Sequence, residues 1–127
     1  MESESLLATD KQGTVTILSF RQAVALDASV IERLEKEFST LIGTGEHRRL
    51  ILDFSSLQMI SSRSLGVLLN IRKLLDDTGG VMVIAGVDPK LYRVFKITHL
   101  DSLFEFHPDV ETALTGMNRS DDPGESS

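Results

Sequence analysis

The sequence predicts a single α/β domain with a mixed, mostly parallel sheet. Three observations predict it. Two apolar runs, Leu50-Ile51-Leu52 and Val81-Met82-Val83-Ile84-Ala85, lack the alternation of a half-exposed strand and so belong to strands covered on both faces. Each is followed by apolar residues at helical spacing, and strands that alternate with helices imply parallel pairing through right-handed crossovers. The length, 127 residues, fits one domain able to bury about two-thirds of its unfolded surface without disulfide or metal staples.

The element order is read as β-β-α-β-α-β-α-β-α. Residues 1–4 are polar and are expected to be disordered; the domain is placed at 5–115 and a disordered tail at 116–127, where little can be buried. Leu6-Leu7-Ala8 is a short first strand. Asp10–Gly13 turns the chain, with Gly13 free to take a positive φ, and Thr14–Phe20 returns as the second arm of a hairpin. Arg21–Ala28 is a connection, and Asp27 or Ser29 carries an oxygen that can cap the next helix. That helix begins at Val30 and sets Ile31, Leu34, Phe38, Leu41 and Ile42 on one face, with Gly43-Thr44-Gly45 ending it. Strand Arg49–Phe54 leads through a hydroxyl-rich turn to a helix over about Ser64–Asp77, which Asp76–Gly80 terminates. After strand Val81–Ala85, Asp88-Pro89 supplies a cap and a first helical residue for Pro89–Lys96. Leu103–Phe106 is the last strand, and Pro108-Asp109 opens a short helix through Val110, Ala113 and Leu114.

Composition narrows the function. A net charge of −6 opposes binding to nucleic acid or to an anionic membrane surface, both of which need a basic face. There are no cysteines, so thiolate catalysis, disulfides and Cys-ligated zinc are excluded. The acidic start has no signal-peptide pattern, and no apolar run reaches the ~18 residues of a spanning helix, so a cytoplasmic protein without membrane insertion is expected. His47, His99 and His107 form no ligand or catalytic spacing, and no nucleophile elbow or phosphate-binding glycine loop is present. No enzyme activity, metal or cofactor is expected. Asp53 stands at a strand end, as a receiver-type phospho-acceptor does, but lacks the accompanying acidic pair and lysine. It reads instead as a residue that accepts backbone hydrogen bonds.

The informative stretch is Asp53–Leu69. A buried strand ends in Asp53, and Ser61-Ser62-Arg63-Ser64 opens a strongly apolar helix. Serine at a helix start can cap orphan N–H groups; the same place also favours a phosphate. Together with Leu50–Leu57, Ile60–Leu69, Val81–Val87 and Ala25-Leu26-Asp27-Ala28, this stretch resembles the STAS domains of bacterial anti-sigma factor antagonists over about residues 5–115. The resemblance implies a STAS-like fold and a non-catalytic protein-interaction function. Its protein partner is expected to be an anti-sigma factor that is also a serine kinase, which phosphorylates a serine at the start of the second helix and so breaks the complex.

In the family that turn usually reads Asp-Ser-Ser/Thr-Gly-Leu-Gly. On this sequence Ser61 takes the Asp place, Ser62 the first Ser place, Arg63 the usual phospho-acceptor place and Ser64 the Gly place; Val24 stands where the family often has Gly. Ser62 and Ser64 are the local substitutes for phosphorylation. Arg63 offers a permanent positive charge that can pair with a partner's carboxylate or phosphate. The expected partner-binding set is Arg21, Asp27, Asp53, Ser61, Ser62, Arg63, Ser64 and Leu65. Alternatives are a structural STAS subunit of a larger, for example transporter-associated, assembly, and a nucleotide-binding or phospho-acceptor protein.

Overall fold

The computed structural model describes residues 7–20, 25–26, 28–43 and 48–121. The expected disordered N-terminus at 1–4, Arg21, Val24, Asp27, Gly45 and His47 lie outside the described residues. Strands β1 (Leu7–Gln12), β2 (Val15–Phe20), β4 (Arg49–Asp53), β6 (Val81–Ala85) and β7 (Glu105–His107) form one five-stranded sheet in the order β1-β2-β4-β6-β7. Only the β1–β2 hairpin is antiparallel; the other three pairings are parallel. Two further strands, β3 (Ala25–Leu26) and β5 (Met59–Ile60), pair in parallel as a separate ribbon. Helices α1 (Ala28–Gly43), α2 (Ser62–Asp77), α3 (Pro89–Ile97) and α4 (Val110–Asp121) complete the chain. The α/β class with a mixed, mostly parallel sheet is as the sequence predicts.

Local chemistry explains the elements. Gly13, at φ 64°, takes the positive-φ position of the hairpin, whose strands close at the Gln12–Val15 pair. The turn thus lies later than expected, and β1 extends through Gln12. Helix α1 buries Ile31, Leu34, Phe38 and Ile42 at spacing 3, 4 and 4. It already includes Ser29, which is therefore not its cap. Asp88 caps α3 as expected, its Oδ1 accepting from Lys90 N at 2.8 Å. Helix α3 ends with His99 at φ 63°, exposed, while Leu100 N donates back to Phe95 O at 2.8 Å. The last strand falls one to two residues later than predicted, because Phe104 leaves the ladder to pack edge-on against Phe95 at 5.8 Å.

The unalternating strands are explained by two cores. Leu18, Leu50, Leu52, Met82 and Ile84 face α1, α2 and α3. Val15, Ile17, Ile51, Val83 and Ala85 face the other way, onto Ala113 and Met117 of α4. This second core corrects the expected tail. Helix α4 does not stop at Leu114 but runs to Asp121, since Met117 lies one turn beyond Ala113 and is 5% exposed against the sheet. The guanidinium of Arg49 on β4 also donates to the Met117 carbonyl oxygen. Residues 116–121 are thus part of the folded domain.

Candidate functional site

The site is built from the chain that leaves β4. Asp53, half-buried, is the last residue of that strand. Its Oδ1 accepts from Ser55 N at 3.0 Å and from Ser55 Oγ at 2.7 Å, closing a tight local turn. Phe54 N donates to Ala85 O at 2.9 Å, which ties the turn to β6. Gly86 passes alongside at φ 71°, and a Cβ there would stand 3.3 Å from Ser55 Cβ and 3.4 Å from Asp53 Oδ1. The Asp53 carboxylate is therefore engaged in its own loop, the strand-end role that the sequence suggests.

The loop then forms β5, which the sequence reading leaves as turn. Two residue pairs with β3 fix its position, Ala25 to Met59 and Leu26 to Ile60. Next comes the helix cap. Ser61 has extended backbone (φ −92°, ψ 162°), and its Oγ accepts from Ser64 N at 3.1 Å and lies 2.8 Å from Ser64 Oγ. Its carbonyl accepts from Leu65 N at 3.1 Å. With the cap at Ser61, α2 starts at Ser62, two residues before the expected Ser64.

That shift decides which candidates face solvent. Ser64, Leu68, Ile71 and Leu75, spaced 4, 3 and 4, form the buried stripe of α2. Ser64 is 0% exposed and Leu65 4%, so neither lies at the surface where a partner or a kinase could reach it. Burial sets Ser64 and Leu65 apart from the exposed members of the expected partner-binding set. Ser62 and Arg63 occupy the first two helical positions and are exposed. Ser61 is half-buried and serves as cap. Arg21 and Asp27, expected beside this corner, lie outside the described residues.

Two surface residues escape the sequence reading. Met59 is 65% exposed on β5, just before the cap. Gly66 is exposed, with no heavy atom within 4 Å of where its Cβ would be. A two-residue strand leaves no periodic signal, so nothing in the sequence separates the exposed Met59 from the buried Leu57 or the half-buried Ile60.

The corner has one electrostatic character. The Ser62 and Arg63 N–H groups precede the first intrahelical bond, so the positive end of the helix dipole and the Arg63 guanidinium share one exposed turn. Such a turn suits a carboxylate or phosphate presented by a macromolecule. Elsewhere, the described residues hold no group of three or more His, Asp or Glu side chains that could bind a metal ion. His107 Nε2 lies 2.7 Å from Glu105 Oε2 on β7. Among the described residues, no helix is long and apolar enough to cross a membrane.

Comparison with known proteins agrees with this architecture. The STAS domain family model matches residues 7–113, and the chain belongs to the STAS family. It is 37% identical over 86 residues to BtrV of Bordetella bronchiseptica, a candidate anti-sigma factor antagonist, across 68% of this chain and 73% of that protein. It is 25% identical over 101 residues to the anti-sigma F factor antagonist of Paenibacillus polymyxa, across 80% of this chain and 86% of that protein. An anti-sigma-factor antagonist (STAS) domain protein from Planctomyces limnophilus shares the fold with a TM-score of 0.80 at 22% identity, over 88% of this chain and 97% of that one.

Proposed function

We propose that this chain is a non-catalytic partner-switching regulator of the anti-sigma factor antagonist type. In this reading it captures an anti-sigma factor, one that is also a serine kinase, through the N-terminal corner of α2. The observation that carries the reading is the exposed turn of Ser62 and Arg63, held on a capped helix beside the exposed Met59. Met59 supplies an apolar contact of adaptable shape. Arg63 supplies a fixed positive charge that can grip a carboxylate bidentately. Because Arg63 stands at the usual phospho-acceptor place, capture is constitutive or is regulated away from this turn.

Two measurements test this. In a pull-down with the cognate anti-sigma factor, Arg63→Glu abolishes capture while the variant melts like the parent; unchanged capture moves the interface elsewhere. Incubation with that partner and ATP leaves the turn unmodified. Stoichiometric phosphoserine at Ser62 or Ser64 would overturn constitutive binding.

A further inference from the structure

Helix α3 carries a second surface of opposite character to the rest of the chain. The protein has 19 acidic and 13 basic residues, yet Pro89–Ile97 contains Lys90, Arg93 and Lys96 and no acid. Pro89, Arg93, Lys96 and Ile97, at i, i+4, i+7 and i+8, form one stripe. With Tyr92 they line an open concavity of about 450 Å³. Ile97 is 70% exposed, the most exposed large hydrophobic side chain among the described residues. Among the described residues none of the three cations takes part in an ion pair. The neighbouring Asp88 is committed to capping, its Oδ1 on Lys90 N. Tyr92 is braced edge-on against Phe106 at 5.0 Å, so one wall of the concavity is fixed in advance.

We propose that this face of α3 docks an acidic segment of a partner protein bearing an aliphatic or aromatic anchor. The anchor seats over Ile97 and Pro89, and its flanking carboxylates meet Arg93 and Lys96. Charge complementarity selects this occupant. A membrane surface fits less well on two counts. Polybasic membrane sites use about four to eight cations where α3 has three. The net charge of −6 repels an extended anionic sheet. The surface shares no residue with the α2 corner, so its failure and that of the proposed capture site are distinguishable.

The test is a ¹⁵N-resolved titration of the full chain with a short synthetic peptide alternating glutamate with leucine and phenylalanine. Shifts confined to residues 89–97 and their contacts are expected, along with loss of most binding in about 1 M salt, where the screening length is about 3 Å. Arg93→Glu, with its spectrum otherwise native, weakens affinity roughly fivefold or more, since an attraction becomes a repulsion. Ile97→Ala weakens it several-fold, and a glutamate-only peptide of equal charge binds more weakly than the parent peptide. Arg63→Glu leaves the affinity unchanged. Shifts elsewhere, indifference to Arg93→Glu, or equal binding of the glutamate-only peptide would each overturn the proposal. So would Arg93-dependent binding to vesicles of phosphatidylcholine and phosphatidylserine in the absence of peptide binding.

Discussion

The cap at Ser61 holds the exposed turn in place, and Ser61→Ala measures how firmly. The substitution removes two contacts, the 3.1 Å bond from Ser64 N and the 2.8 Å contact with Ser64 Oγ. Loss of a serine N-cap costs about 1 kcal/mol. A hydroxyl contact against a residue that is 0% exposed adds about 0.5–1.5 kcal/mol. The sum is about 1.5–2.5 kcal/mol, which lowers Tm by roughly 5–10 °C for a domain of this size. In urea, the midpoint falls and the slope stays constant, because the helix remains and the exposed surface on unfolding is unchanged. Ser62→Ala, one residue on and exposed, changes stability by less than about 0.5 kcal/mol. Ser61→Asp recovers the cap component, since aspartate accepts from the same N–H. If Ser61→Ala and Ser62→Ala prove equally costly, or both negligible, the helix does not start where its hydrogen bonds place it.

Three further outcomes follow from the packing and the charges. Met117→Ala destabilises by about 2–4 kcal/mol in chemical denaturation, because Met117 is 5% exposed and helps α4 cover the second face of the sheet. Gly66→Ala stabilises by about 0.5–1 kcal/mol, since a Cβ there meets no atom within 4 Å and alanine is the better helix former; capture of the proposed partner then reports whether that open surface is needed. Asp109 is held below its ordinary 3.8, chiefly by the Thr112 backbone N–H donating to it, then by the Thr112 side chain and by nearby His107. A depressed carboxyl contributes stability above its unfolded pKa and loses it as pH falls through the lower folded value. Stability measured against pH therefore drops more steeply below about 3.8 in the parent than in Asp109→Asn, which has no charge to lose; parallel curves refute the assignment.

The sheet was legible because its central strands combine two signals, apolar character and length. Leu50–Leu52 and Val81–Ala85 read as doubly covered, and they are, by α1, α2 and α3 on one side and α4 on the other. The covering helix was the harder part. Beyond Leu114 the only long apolar residue is Met117, and a single residue gives no period; its role depends on a sheet face assembled from β2, β4 and β6. The β3–β5 ribbon was illegible for the same reason, since two-residue strands are defined by their partner and not by their own pattern. In the candidate site, composition pointed to the turn at the start of α2 but not to the phase of the helix that follows. Moving the cap from the neighbourhood of Ser64 to Ser61 rotates Ser64 and Leu65 inward and leaves Ser62 and Arg63 outside. Serine is an equally good cap at any of these places, so only the register of Leu68, Ile71 and Leu75 against the core decides.

That register also limits how the turn could be controlled. A phosphate on Ser64 would have to enter a core site that is 0% exposed, and would unseat the cap that it shares with Ser61. A phosphate on Ser62 would meet no such obstacle, because the first helical position is exposed and the helix end favours negative charge. The Arg63 charge and the helix end together amount to about +1.5 at this turn, and a phosphate of nearly −2 inverts that sign. Modification at Ser62 would therefore leave the domain folded and act on the partner alone, by turning an anion-seeking corner into an anion-repelling one. In the proposed reading, an arginine at the family's usual acceptor place leaves no hydroxyl there and gives the unmodified turn its positive sign.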